Sequence, residues 1–544
     1  MAARTMPLLL LSVLSCLLFS FAAAQDTLVD LGYAKYKGQA FSNGISQWLG
    51  IRFAAPPIGD LRFAAPQDPV ASGDTVNATE HGPLCISTST NPIPSNMAED
   101  CLFLDVYAPS KASNSSELLP VYFFIQGGGF SALANPNYDG TGLLLASNLS
   151  IVIVTINYRV GPYGFLAGKE IQEGASLNNG LKDQIKALQW VQKHISKFGG
   201  NPNHVVIGGP SAGGASVTLL LSAYGGRDDG LFHAAAAESQ SFGGMLDVAG
   251  SQFAYDNLVN RTNCTDSKDT LACLRALDIV SLQKQNIQTP FPGAEIPPLY
   301  MYGPTVDGDL VPDYTFALFE QGRFIKVPVI FGDDTNEGTM FVPKSTSSVK
   351  EADTFIQAQF PAIQPIQLSK INSLYLGPNS TRNFPQSSPY WRPASNAYGE
   401  IRYICPGIAL SDIYAKFGVP SWNYHYAVLD PDSEKSGLGV SHTVEVNAIW
   451  GPQYVSTTPP KSYTTTNAPI VPVMQGYWTS FIRTYNPNTY RVAGSPRWET
   501  WSEGLSDYQR IFIRTGDTKM ETVYKAQKER CQYLKSIALD LKQR

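Results

Sequence analysis

Residues 209–213 read Gly-Pro-Ser-Ala-Gly, a serine, Ser211, between two glycines. An apolar, β-branched run (Val205, Val206, Ile207) precedes it, and a helix-period segment through Leu221 follows, so the stretch reads as strand, sharp turn, helix. In that context G-x-S-x-G projects its serine above the end of a parallel sheet. Glycines two positions either side let such a turn pack without Cβ clashes, and the following helix directs its positive end at the serine. A hydroxyl placed there can attack a carbonyl carbon if a base takes its proton and donors hold the oxyanion. The competing reading is a glycine-rich connection around a buried serine.

Both accessories can be sought elsewhere in the chain. Residues 120–125 (PVYFFI) read as a buried strand running into Gln126-Gly127-Gly128-Gly129-Phe130. Three consecutive glycines leave backbone N–H groups unshielded, which suits an oxyanion. Six histidines compete for the base: His81, His194, His204, His233, His425 and His442. His194 falls on a helical face at 187–198, His204 just before the nucleophile strand and His425 within a strand at 422–428. His442 alone sits in a loop beyond a strand (GLGVSHTVE, 437–445), able to swing over the serine. In the Ser, acid, His order of such strand-turn-helix sites the acid lies between 211 and 442. A strand at 327–332 ends in DDTNEGT (333–339), which offers Asp333, Asp334 and Glu337.

The amino terminus combines Arg4, an apolar run from Met6 to Phe21 and the small residues Ala22, Ala23 and Ala24, the pattern of a secretory signal peptide cleaved after Ala24. The run is short for a spanning helix. Without Arg4 the 40 Lys+Arg become 39 against 45 Asp+Glu, a net charge of −6, so nothing basic remains to hold nucleic acid. No other segment reaches transmembrane length and no hydrophobic carboxy-terminal tail is present, so a soluble, secreted chain without a stable membrane anchor is expected. No linker or repeat divides residues 25–544, which read as a single domain.

Cys16 leaves with the signal segment, and Cys85, Cys101, Cys264, Cys273, Cys405 and Cys531 remain. An even count in an oxidising compartment points to three disulfides. Neighbours in sequence suggest Cys85–Cys101 and Cys264–Cys273, leaving Cys405–Cys531. Without a C-x-x-C pair or clustered histidines, no metal is expected. Export is also suggested by the sequons at Asn77, Asn114, Asn148, Asn260, Asn263 and Asn379, candidate glycosylation sites.

Together with GIRFAAPP (50–57), EDCLFLDV (99–106), NYRVG (157–161), NGLKDQ (179–184) and GGNP (199–202), these motifs resemble the type-B carboxylesterase and lipase family, whose members include cholinesterases, and most closely its secreted fungal carboxylesterases. The likeness runs from about Leu31 to Leu534. It implies the α/β-hydrolase fold, a large, mostly parallel central sheet with helices on both faces. It makes Ser211 the nucleophile, His442 the base and Glu337, the Glu of the E-G pair, the acid. The oxyanion donors become the N–H groups of Gly128, Gly129 and Ala212. The same resemblance supports all three disulfides and implies structural ion pairs Arg52–Glu99 and Arg159–Asp183. No cofactor is implied.

Two departures bear on substrate. Pro210 stands where many relatives, including those acting on choline esters, carry an acidic Glu before the serine. The segment between Cys85 and Cys101 has no Trp or Tyr, whereas cholinesterases place a cation-binding Trp there and several lipases a lid. Quaternary-ammonium binding on aromatic faces and strong interfacial activation are therefore not expected. Phe130, Phe291, Tyr300 and Tyr302 are candidate substrate walls, the last three preceding Thr305-Val-Asp-Gly308 where relatives place the acyl pocket. The expectation is a serine carboxylesterase for small or medium, largely uncharged esters. The alternatives are a lipase or sterol esterase, a tailoring esterase for one metabolite, or a non-catalytic adhesion protein of the same fold.

Overall fold

The computed structural model describes residues 27–112, 115–502 and 508–544. The signal segment and Asn114 lie outside the described residues. An eleven-stranded sheet forms the centre. In chain order its strands are β1 (Gln39–Ala40), β2 (Ile45–Arg52), β3 (Phe103–Pro109), β4 (Leu119–Ile125), β5 (Val152–Ile156), β6 (Gly200–Pro210), β7 (Ala234–Glu238), β8 (Val329–Asp334), β9 (Ser421–Tyr426), β10 (Gln509–Ile513) and β11 (Lys519–Thr522). Across the sheet the order is β1-β2-β3-β5-β4-β6-β7-β8-β9-β10-β11. Pairing is parallel from β5 through β10 and antiparallel at both edges.

The continuous apolar runs of β4 and β6 suit strands covered on both faces. Val121, Phe123, Ile125, Val205 and Ile207 enter one core, and Tyr122, Phe124 and Val206 the other, as the two-residue period of a strand dictates. Helices α1 (Asn179–His194), α2 (Ala212–Ser222) and α3 (Cys405–Lys416) cover the first face, and α4 (Ile470–Thr484) the second. This is the expected α/β-hydrolase architecture. It sends the chain out of β4, β6, β8 and β9 at one edge, where the strand carboxyl ends form a crevice for ligands.

All three suggested disulfides are present, Cys85–Cys101, Cys264–Cys273 and Cys405–Cys531. The sequons at Asn77, Asn148, Asn260, Asn263 and Asn379 are exposed. No helix among the described residues is long and apolar enough to cross a membrane.

One expected ion pair is corrected. Arg52 donates from Nη1 and Nη2 to Asp100 at 2.7 and 2.8 Å and stacks over Phe103, not onto Glu99. Glu99 is taken by Arg62, whose Nη2 donates at 2.8 Å. Arg62 Nη1 also donates to the carbonyls of Leu274, Arg275 and Leu277. Glu99 and Asp100 are chain neighbours, and the more deeply buried guanidinium, needing more acceptors, captures the less exposed carboxylate.

Arg159–Asp183 forms as expected. Asp183 is fully buried and accepts from Arg159 Nε at 2.8 Å, Nη2 at 2.7 Å and the Arg159 backbone N–H at 3.0 Å, tying the turn after β5 to α1. Asp183→Asn leaves that guanidinium buried without its countercharge, and should cost about 3–5 kcal/mol of stability. Denaturant unfolding checks this, and a loss under about 1 kcal/mol contradicts it.

Glu238 closes β7 and is fully buried, accepting from Trp478 Nε1 at 3.1 Å and from the Tyr122 hydroxyl at 3.4 Å. Burial first, and then the nearby Glu445 charge, raises its carboxyl to about 8. A pKa raised on folding gives stability that is complete below the unfolded value near 4.5 and drains away as pH climbs towards 8. Glu238→Gln, which does not ionise, should therefore match the wild type at pH 4. By pH 8 it should exceed it by up to about 4 kcal/mol. Denaturant midpoints measured from pH 4 to 8 test the sign, and a gap that shrinks with rising pH contradicts it.

Candidate active site

Ser211 sits between β6 and α2 with φ 58° and ψ −117°, a conformation that costs a non-glycine residue free energy. Neighbouring backbone holds it there. Its N–H donates to the Glu238 carbonyl at 2.9 Å, and its own carbonyl accepts from Ala215 at 2.8 Å and Ser241 at 3.2 Å. A Cβ on either Gly209 or Gly213 would come within 2.1 Å of the Ile125 carbonyl oxygen. Both glycines of the motif are thus required by one atom, the last carbonyl of β4.

The three glycines after β4 fold back over the serine. A Cβ on Gly127 would lie 2.9 Å from the Pro210 oxygen and 3.2 Å from Ser211 Cβ. Gly128 (φ 118°) and Gly129 (φ 65°) have left-handed backbone that favours glycine. A Cβ on Gly128 would meet the Ala132 oxygen at 2.1 Å, and one on Gly129 the Tyr300 ring at 2.2 Å. Gly128 bonds outward through its carbonyl, to the N–H groups of Ser131 and Ala132. The Ala212 N–H opens α2, where helices leave donors without internal partners.

Of the three carboxylates at and after the end of β8, only Glu337 is bonded to His442. The imidazole Nδ1 is hydrogen-bonded to Glu337 Oε2. The other oxygen, Oε1, accepts from Ser239 Oγ at 2.7 Å and from the Asp334 N–H at 2.7 Å. These donors suit a fixed carboxylate. Asp333 instead accepts from Gln240 Nε2 at 3.0 Å. Asp334 accepts the Val444 N–H at 3.3 Å and so braces the histidine loop from below. Burial pushes both aspartates well up from the usual carboxylate range, aided by Glu337 at Asp333 and by Glu445 and then Glu337 at Asp334.

His442 is clasped by Tyr403 at 4.3 Å and Phe341 at 5.1 Å between ring centroids. Its remaining nitrogen, Nε2, is buried with no hydrogen-bond partner, an acceptor left for a hydroxyl proton. Residues 238–241 join the parts. Glu238 and Ser241 bond the Ser211 backbone, and Ser239 bonds Glu337. No motif in the sequence marked Ser239, Tyr403 or Phe341, because their contacts are all between distant segments.

The carboxylate that Pro210 removes is not restored by Glu238, its register partner, whose side chain is bonded to Tyr122 and Trp478 in the core of the opposite sheet face. Among the candidate walls, Tyr300 lies on Gly129 and Phe130 packs on Phe165 at 5.1 Å. Phe291 packs on Phe253 at 5.5 Å, and Tyr302 is buried in the core. A polar cavity of about 410 Å³ borders Glu337, but Ser211 and His442 do not line it. The other histidines serve elsewhere: His81 pairs with Asp105, His204 bonds the Ile482 carbonyl, His233 accepts the Val205 N–H, His425 bonds Glu521, and His194 packs on Trp190.

Comparison with known proteins agrees with this fold. The model of the carboxylesterase family matches residues 25–534. The chain is 31% identical to secreted lipase 4 of Gibberella zeae, over 88% of this chain and 86% of that protein. It is 29% identical to the para-nitrobenzyl esterase of Bacillus subtilis, over 86% and 91% respectively. The crystal structure of Aspergillus niger EstA superimposes with a TM-score of 0.91 at 43% identity, covering 95% of this chain and 99% of that one. The chain belongs to the carboxylesterase family, and it is a carboxylic ester hydrolase.

Proposed function

We propose that the protein hydrolyses small or medium carboxylic esters through an acyl-enzyme on Ser211. The observation that carries this reading is His442, bonded through Nδ1 to a Glu337 held by two further donors, with Nε2 left unpartnered. His442 Nε2 takes the Ser211 proton as Oγ bonds to the ester carbon. It then gives that proton to the departing alcohol, and water releases the acid by the same two steps. Glu337 fixes the tautomer and stabilises the cationic ring. The N–H groups of Gly128, Gly129 and Ala212 hold the oxyanion, each worth about 3–4 kcal/mol of the barrier by analogy with other such donors.

Secretion after cleavage at Ala24, with residues 25–544 as one domain, is part of the same proposal. Three disulfides, five exposed sequons and the resemblance to a protein named a secreted lipase support it. That relative also keeps a lipase reading in view. The Cys85–Cys101 segment favours the esterase reading, because its first half, Ser87 to Thr90, is pinned. Gln283 Nε2 donates to the Ser87 and Thr90 carbonyls, Thr88 N–H to Ser131, and Ser89 N–H to Asn286. A segment so tethered is a poor lid.

Ser211→Ala should leave a folded protein whose kcat falls by several orders of magnitude and which a fluorophosphonate no longer labels. Glu337→Gln should cost far more activity than Asp333→Asn. Activity near wild type in Ser211→Ala, or equal losses in the two acid variants, defeats the assignment.

Titrating a short-chain triglyceride through its solubility limit should give smooth saturation, whereas a sharp rise at the interface defeats the tethered-loop argument. Butyrylcholine should gain nothing over its uncharged isostere 3,3-dimethylbutyl butyrate, since no carboxylate adjoins the serine to offset ammonium desolvation. A strong choline preference in kcat/KM contradicts this.

A further inference from the structure

Two arginines lie buried beside the nucleophile, each 4% exposed: Arg402 and Arg544. Arg402 Nε donates to Ser241 Oγ at 2.8 Å, and Arg544 Nη1 to the Ser241 carbonyl at 2.9 Å. The N–H of this same Ser241 donates to the Ser211 carbonyl. The Arg544 guanidinium covers the ring of Phe130, next after the oxyanion glycines, at 4.8 Å. That of Arg402 lies 5.3 Å from the centroid of Tyr300, the ring resting on Gly129. Both cations therefore pack against the two rings that adjoin Gly129, one residue removed from the backbone of Ser211 through Ser241.

Among the described residues no side-chain carboxylate forms an ion pair with Arg402 or Arg544, and Arg544 Nε is buried with no hydrogen-bond partner. Buried charges are ordinarily paired, as Arg62, Arg159, Arg510 and Arg530 are here. Aromatic faces offset part of the cost, and Arg402 is further held by the Tyr398 side chain, but Arg544 Nε remains short of an acceptor. Burial and then Arg402 push the Arg544 guanidinium down to about 9. An arginine does not give up its proton near neutrality, so the site is left wanting an anion.

The placement is built into the fold. One turn of π-helix, Glu400–Ile404, carries Arg402, an irregularity often found at functional sites. Gln543 Nε2 donates to the Phe242 and Ile401 carbonyls, and the Arg544 N–H to Gly243, so both side chains are anchored from the backbone. A Cβ at Gly243 would press within 3.0 Å of the Arg402 guanidinium.

We propose that Arg402 and Arg544 form a carboxylate-binding subsite, and that the preferred esters carry a carboxylate on the acyl part, as monoesters of dicarboxylic acids do. This rests on the serine-esterase reading above and replaces, for the acyl group, the expectation of a largely uncharged substrate. The carboxylate pairs with the planar guanidinium forks while the ester carbonyl sits at Ser211. The alcohol leaves with the proton from His442, and water then supplies hydroxide to the acyl carbon. Overall the monoester and water give the dicarboxylate, the alcohol and a proton.

The test compares ethyl hydrogen succinate and ethyl hydrogen glutarate with ethyl 4-methylpentanoate, an uncharged isostere of the first. The wild-type kcat/KM should favour a hemiester at least tenfold. The preference should fall tenfold or more in Arg544→Gln and survive largely in Arg544→Lys. Hemiesters no better than the isostere, or an Arg544→Gln variant that slows both substrate types alike, overturn the subsite. Calorimetry with glutarate decides the matter independently of catalysis. Saturable binding to the intact protein, weakened in Arg544→Gln, supports the subsite even if neither ester is hydrolysed, an outcome that would sink the esterase reading alone. Absence of glutarate binding overturns the subsite while leaving the esterase reading standing.

Discussion

The site depends on one close approach, that of the nucleophile turn to the carbonyl oxygen of Ile125. Gly209 and Gly213 each present a bare Cα to that atom, and a side chain at either would have to occupy space 2.1 Å from it. The contact locks β4 to β6 at their carboxyl ends, and so locks the three glycines that continue β4, the proposed oxyanion donors among them, to the serine that continues β6. The strained Ser211 backbone is tolerated because this packing and the bonds to Glu238, Ala215 and Ser241 leave it no alternative. The hydroxyl and the backbone donors are thereby arranged before any substrate arrives, the condition under which electrostatic stabilisation contributes most to rate.

Charge around this turn is sorted by the partners each group finds in a dry interior. Asp333, Asp334, Glu445 and Glu238 are all buried, and burial pushes each upward from the carboxylate range. Glu337, equally buried, receives the Ser239 hydroxyl, the Asp334 N–H and the His442 ring. Hydrogen-bond count, more than proximity in sequence, separates the carboxylate that serves the imidazole from those that brace the loops around it. Tyr403 packs on the imidazole, and its chain neighbour Arg402 shares Ser241 with Arg544.

The Cys85–Cys101 segment and the loop after β4 are both held by polar tethers. Gln283 and Asn286 staple the Cys85–Cys101 segment from above, while Asn135 Oδ1 accepts the Gly127 N–H at 2.9 Å and steadies the oxyanion loop from behind. Such links resist the large loop opening that an interface-activated enzyme requires.

Local chemistry was legible in the sequence wherever it is written in consecutive residues. The glycine-flanked Ser211, the triple glycine after an apolar strand, the six cysteines and the His442 loop each announce a backbone constraint or a reactive group within a few positions. The two-sided burial of β4 and β6 is equally plain in their unbroken apolar runs. Partner choice between distant segments was not legible. Arg52 takes Asp100 and leaves Glu99 to Arg62, because neighbouring carboxylates face opposite ways and the deeper cation claims the less exposed one. From spacing alone Asp333, Asp334 and Glu337 were equivalent; the family resemblance chose the third, and the donors of Ser239, Asp334 and His442 converge on it. No motif in the sequence marks Arg402 or Arg544. The packing of residues 241–243, 400–404 and 541–544 against one another buries them beside the nucleophile, since desolvation and pairing are properties of a three-dimensional neighbourhood that no single stretch of chain contains.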